Sequence, residues 1–407
     1  MSYKPRSPES ERGDGMDYDI TDTSLGLERE HEALAWLRDN DPVHWDAKNE
    51  AWLLTRNADI RGALNDAKVW SSARGYFPPL FMRDTKNSII TMDDPEHASR
   101  RALLARAFTP RMLQRQASRI RDLMDDAIDA IADRRECDFV TSLATPLPMR
   151  MIAGMVGFED ADSQEFAGLS DAMFEFTSAA RGDPAAVHGV EAFVTLTEHI
   201  RRAVADRRRA PRDDLLSVLA EGAEEGDVLE FGVLLVAAGN ETTRHTISRG
   251  VHALLEHPDQ LALLRVEPER IPLAVEEWLR WASAVRGLRR TARSDTSVAG
   301  QKIRAGEQVM LLFPSANRDA EVFDTPFEFR TGRRPNRHLA FGEGVHFCLG
   351  ANLARLEMRI ALEQLVERLP GLRLAPGARL VPKLTALTNG VERLDVVYDS
   401  VTPRRSH

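Results

Sequence analysis

Residues 341–350 read FGEGVHFCLG and run straight into a strong helix former, ANLARLEMRIALEQLVERL. Cys348 in this loop is one of only 2 cysteines in 407 residues, so its placement among Gly342, Gly344 and Gly350 asks for a reason. Glycines at 342 and 344 permit a tight turn, and Gly350 permits close approach just after the sulfur. A cysteine at the mouth of a helix sees the positive end of the macrodipole and free backbone N–H groups, which favour thiolate. A lone cysteine is otherwise a small buried hydrophobe. No second cluster of His and Cys stands beside it, which argues against structural zinc and leaves a single metal bond or a nucleophile.

Cys137 and Cys348 are too far apart in the sequence to suggest a disulfide framework, which implies a cytoplasmic chain with reduced thiols. The N-terminus, MSYKPRSPESERGDGMDYDI, is polar and lacks a secretory apolar core, so residues 1–20 read as a polar tail and 21–407 as one domain. The best apolar run, FGVLLVAAG (231–239), is about half the length of a membrane span. A net charge of -9 argues against general nucleic-acid binding. The basic run RRAVADRRRAPR (201–212) reads as a solvated helix face. No interior linker or repeat divides the chain, and a monomer is expected.

Helical periodicity covers 29–39, 57–66, 96–107, 111–133, 161–178, 187–208, 227–255, 258–265, 268–282 and 350–368. Strand signals are shorter: PVHWD with AWLLT (42–55), TSVAGQKIRAGEQVMLLF (296–313) and RLDVVYD (393–399). The class expected is mostly α with small β-sheets (α+β), the sheets confined to the two ends.

FGEGVHFCLG resembles the haem-binding loop of the cytochrome P450 monooxygenases, Phe-Gly-x-Gly-x-His-x-Cys-x-Gly, at every fixed position. The resemblance implies a single large helical domain enclosing haem b, with Cys348 as the axial thiolate ligand of the iron. Phe341 would pack near the sulfur, Gly350 would give the cofactor room, and the N–H groups after the cysteine would tune it. Thiolate ligation favours O–O cleavage.

Four further segments carry the likeness. In VAAGNETTRH (236–245), Gly239 costs an apolar helix about 1 kcal/mol relative to alanine, and four polar residues follow. Either the helix ends and restarts there, or Gly and Thr open it locally into a groove. The segment is similar to the family's acid–alcohol pair, implying Glu241 and Thr242 as the catalytic residues that deliver protons; many members carry Asp at the acid position. In EEWLRW (276–281), Glu277 and Arg280 share a helix face. As a surface pair they would contribute little, but the resemblance implies a buried structural set with Arg333. For the two haem propionates, it implies His97 and Arg101 from PEHASRRALLARAFTP (95–110), Arg290 from RRTARSD (289–295), and His346.

The same likeness places the substrate under GYFPPLFMRDTKNSII (75–90), through Phe77, Leu80, Phe81 and Ile90. Leu234, Ala237 and Ala238 would join from the central helix, with Val285, Leu288 and Leu387 further round. The implied reaction inserts one atom of O2 into an apolar small molecule by C–H hydroxylation or epoxidation. Electrons would come from a separate ferredoxin and ferredoxin reductase. AGNETTRHTIS is similar to members acting on terpenoids, sterols or branched lipids; tailoring of a polyketide or other secondary metabolite is the alternative. A peroxide-driven peroxygenase tends to lose the acid–alcohol pair, and a haem- or ligand-binding protein would not need the polar break. Arg106, Arg111, Arg115, Arg119 and Arg121, with Arg355 and Arg359, would form a docking face for an acidic ferredoxin, unless they pair with Asp122, Asp125, Asp126 or Glu357.

Overall fold

Apolar residues recurring every three to four positions bury a helical core in which Ile120, Met124, Ile247, Trp278, Leu353 and Ile360 pack together. The computed structural model describes residues 18–75, 88–158, 163–178, 184–212 and 214–404. Among these the helices are α1 (Gly26–Asn40), α2 (Asn57–Asn65), α3 (Glu96–Ala105), α4 (Pro110–Asp129), α5 (Pro146–Met155), α6 (Ser163–Ser178) and α7 (Pro184–Arg209). Then follow α8 (Leu215–Gly222), α9 (Glu225–Gly239), α10 (Glu241–Glu256), α11 (Pro258–Val266), α12 (Ile271–Ala282), α13 (Phe313–Ala316) and α14 (Ala351–Arg368). The mostly helical α+β class is observed. No helix of the described residues is long and apolar enough to cross a membrane.

The strands are β1 (Val43–Asp46), β2 (Ala51–Leu54), β3 (Trp70–Ser71), β4 (Glu136–Asp138), β5 (Gly287–Ala292) and β6 (Thr296–Val298). The remainder are β7 (Gln301–Ile303), β8 (Gln308–Leu312), β9 (Arg373–Leu374), β10 (Val381–Leu384), β11 (Asn389–Arg393) and β12 (Asp395–Val397). Sheets are not confined to the two ends of the chain. A five-stranded sheet runs β1-β2-β8-β5-β3, with β2 parallel to β8 and Ala51 opposite Gln308. Its apolar side buries Leu54, Val309, Leu311 and Phe313.

Several expectations need correcting. Strand β5 hides from pattern reading because Arg289 and Arg290 interrupt its apolar residues, yet both are buried. Helix α5 hides behind Pro146 and Pro148, and α8 is short, started by the Asp214 carboxylate accepting the Ser217 N–H at 2.9 Å. The continuous helix expected over 227–255 is two helices meeting at Asn240. Tyr18 and Ile20 do not belong to a polar tail: both are buried, with Tyr18 Oη donating to Glu30 Oε1 at 3.0 Å and Ile20 O accepting from Arg286 at 2.8 Å. In the run 201–212, Arg207 is buried against Asp214, so that face is only partly solvated. Helix α12 stops at Ser283, whose left-handed φ of 41° is held by hydrogen bonds to Arg280 O and from Asn317.

Candidate functional site

A cavity of about 310 Å³ lies between the α9–α10 junction, α14 and the loop 341–350. The loop needs glycine at two places. Gly342 and Gly344 have φ of 65° and 71°, and a Cβ on Gly344 would stand 2.3 Å from Leu64 O. The Cys348 N–H donates to Phe341 O at 2.9 Å, closing the turn. Arg355 lies 4.6 Å above the Phe341 ring and forks onto Glu276 at 2.7 and 3.0 Å. Cys348 is exposed and lines the cavity. Burial pushes its thiol up, and the Gly350 N–H, Arg101 and Arg355 do not overcome it.

His97, Arg101, Arg290 and His346 all line this cavity. The two imidazole rings stand 4.1 Å apart, and His346 Nε2 is 3.1 Å from Ser72 Oγ. His97 Nδ1 lies 3.3 Å from Asp94 Oδ1, while its Nε2 is buried without a partner. Burial, then Arg290 and His97, push His346 down to about 3, so the ring is neutral. Burial lowers Arg290 to about 10 against the pull of Asp93. Arg101 donates to Phe347 O at 2.5 Å, tying α3 to the cysteine loop.

At the α9–α10 junction, Gly239 admits Ile152, whose Cδ1 would stand 2.5 Å from an added Cβ. Thr242 lines the cavity and its hydroxyl donates to Ala238 O at 2.8 Å; Thr246 repeats the pattern onto Thr242 O at 2.8 Å. Glu241 is buried off the cavity, with Arg244 donating to Oε1 at 2.7 Å. Burial works to raise this carboxyl, but His245 and Arg244 outweigh it and hold it below the usual range.

Glu277, Arg280 and Arg333 meet in one buried set, with Arg280 forked onto both carboxylate oxygens at 2.7 and 2.8 Å and Arg333 at 3.1 and 3.2 Å. Ile90, Leu234, Ala237, Ala238, Val285, Leu288 and Leu387 line the cavity, as do Phe341 and Gly350. Phe77, Leu80 and Phe81 lie outside the described residues. On the arginine-rich face, Arg121 and Arg359 pair with Glu363 and Arg355 with Glu276, so internal pairing takes up part of it.

Sequence reasoning missed Thr243, Thr246, Phe231 and Glu357 as cavity residues. Glu357 is a buried carboxyl on α14, pushed up to about 8 by burial. The available signal was its spacing: Leu353, Ala354, Glu357 and Met358 share one helix face, so this carboxyl sits on an apolar stripe.

The cytochrome P450 family model matches residues 43–370. The chain belongs to the cytochrome P450 family. Among curated relatives, a steroid C26-monooxygenase of Mycolicibacterium smegmatis is 39% identical over 91% of this chain and 93% of its own length. The cytochrome P450-terp of a Pseudomonas species is 33% identical over 86% and 89%. Among solved structures, CYP109E1 of Bacillus megaterium in complex with corticosterone superposes with a TM-score of 0.83 at 32% identity, covering 90% of this chain and 98% of that one.

The protein is thus a cytochrome P450 monooxygenase, an oxidoreductase that uses O2, an apolar substrate and redox partners, and its family cofactor is haem b. The residues present fit that cofactor. A thiol faces the cavity, His97 Nε2 is an orphaned buried atom beside two arginines, and a Cβ on Gly350 would project into open cavity space. Two carboxylates entering this apolar enclosure would need such donors.

Proposed function

We propose that this cytochrome P450 hydroxylates a sterol- or steroid-like molecule in the cytoplasm, with Cys348 as the thiolate ligand of its haem. The observation that carries the ligation is Cys348 itself, lining the cavity just before α14. Burial pushes its thiol up, and a bound iron would hold the sulfur as thiolate, the displaced proton passing to water. His97, Arg101, Arg290 and His346 receive the propionates. Bound haem supplies the dioxygen-activating and oxygen-transfer chemistry.

The chain's own residues do the rest. Leu234, Ala237, Ala238, Val285, Leu288 and Leu387 bury the substrate and exclude water. The Thr242 hydroxyl presents a proton at the cavity wall, and Glu241 behind it is the acid that resupplies it. Glu277, Arg280 and Arg333 hold the segment before the cysteine loop in place. The steroid-oxidising relatives and the apolar lining support the substrate class. Electrons arrive from a separate acidic ferredoxin, served by a ferredoxin reductase and steered by exposed Arg106, Arg111, Arg115 and Arg119.

The test is spectral. Reduced holoenzyme with carbon monoxide should show the far-shifted Soret band of a thiolate haem, and Cys348→Ala should lose it; a band at the position of histidine ligation overturns the ligation. Titration with sterols, steroids, terpenoids, fatty acids and macrolactones should give the tightest spectral shifts with the first two. Tightest binding of a macrolactone would move the assignment to secondary-metabolite tailoring.

A further inference from the structure

Thr242 reaches the cavity, but Glu241 is buried off it, among Arg244 and His245 of its own helix and Lys383 of β10. Arg244 on its own helix donates to Oε1 at 2.7 Å and reaches Asp171 of α6 at 3.3 Å. Lys383 of β10 faces the same carboxylate. The other oxygen, Oε2, has no partner, and 3.8 Å from it stands His245 Nε2, which has none either. That gap exceeds a hydrogen bond, and a side-chain movement of less than about 1 Å closes it.

His245 is fully buried and its Nδ1 accepts the Val391 N–H of β11 at 3.1 Å. With Nδ1 occupied as an acceptor, the neutral ring carries its proton on Nε2, aimed at Glu241. The approach is built in: a Cβ on Gly390 would stand 2.7 Å from His245 Nε2 and 2.3 Å from Lys383 O. Burial lowers His245 more than Glu241 raises it, so it acts as a neutral donor, and Arg244 and Lys383 supply the full charges.

We propose that His245 is a positioning residue for Glu241, its Nε2–H being the donor that catches Oε2 and keeps the carboxylate turned from the cavity between proton transfers. This rests on the reading of Glu241 as the proton-resupplying acid. Burial alone would raise Glu241, and His245 is the first of the contacts that hold it down, ahead of Arg244 and Lys383. Loss of the His245 donor therefore raises the pH at which Glu241 takes up a proton, by about one unit for one hydrogen bond.

The experiment follows the carbonyl stretch of protonated Glu241 by infrared difference spectroscopy on the holoenzyme, the band being identified by its loss in Glu241→Gln. The midpoint should rise by about one pH unit in His245→Leu. It should stay in place in His245→Gln, whose amide oxygen accepts from Val391 N–H and whose amide nitrogen donates to Glu241. The pH at which peroxide replaces product should move with the midpoint. If His245→Leu does not load cofactor, His245→Met carries the same test. An unmoved midpoint in the apolar variant, or His245→Gln behaving like it, overturns the proposal. A Glu241→Gln variant that forms no extra peroxide defeats the underlying proton role instead, while the infrared midpoint still judges the contact.

Discussion

Glu241 and Glu277 share one local pattern, a buried glutamate with an arginine three residues on, in ETTR and EWLR. Their surroundings differ. Both oxygens of Glu277 take bonds from Arg280 and Arg333; Oε1 also accepts the Arg330 N–H at 2.9 Å and Oε2 the Asn336 amide at 3.1 Å. Glu241 has Arg244 on one oxygen and nothing on the other. A filled coordination of this kind is a lock, since every alternative position loses several charge-assisted bonds. A half-filled one leaves the carboxylate free to exchange partners at little cost, as proton handling beside a cavity requires. Glu357 extends the series: among the described residues no ion pair reaches it, and burial alone pushes it up to about 8.

The largest effect expected is from breaking the lock. Glu277→Ala leaves two buried guanidiniums without their carboxylate, and urea unfolding of the holoenzyme should show a loss of about 3–5 kcal/mol. A loss under about 1 kcal/mol would mean that the filled set does not hold the fold.

Glu357 comes next. Its carboxyl is raised from 4.5 to about 8 in the folded state, so its contribution to stability is complete below 4.5 and disappears as pH rises through 8. Linkage puts that decline at about 5 kcal/mol, and Glu357→Gln should flatten it in melts followed across this window.

Glu241→Gln should cost less than about 1 kcal/mol of stability yet divert reducing equivalents to peroxide, with product formation falling roughly a hundredfold, the low end for a positioned acid. The split between stability and coupling is what separates this glutamate from Glu277. Thr242→Ala should uncouple similarly but less, and Thr242→Ser should restore product per NADH consumed. The smallest effect is at the surface. Charge reversal at the exposed Arg111 should slow reduction by an acidic ferredoxin a few-fold at low salt, with the difference vanishing as ionic strength rises.

Much of this molecule was legible along the chain. The cysteine loop, the E-x-x-R helix and most helices rest on spacing and local chemistry, which a sequence displays directly. What stayed hidden rests on distant pairings. Nothing in GLRRTA tells that two arginines are buried inside a strand, because Arg289 finds its acceptors in Gln308 and Arg74 O. ETTR and EWLR look alike, and only the arrival of Arg333, or of Val391 beside His245, separates a filled set from a half-filled one. Tyr18 and Ile20 read as tail because their partners, Glu30 and Arg286, come from α1 and from the segment before β5. The cysteine's surroundings were legible only in part for a related reason: a helix mouth is a local feature, whereas the burial that pushes its thiol up belongs to the whole enclosure.

The parallel pairing of Ala51 with Gln308 has a consequence for how the chain is made. Hairpin β1–β2 leaves the ribosome early, but the strand that completes its outer edge is encoded in the last third of the sequence. At 5–20 residues per second the edge waits on the order of tens of seconds for its neighbour. During synthesis AWLL thus keeps one apolar edge open, and such an edge recruits other nascent chains. Expression yield should therefore respond to translation rate and chaperone supply before it responds to anything at the cavity.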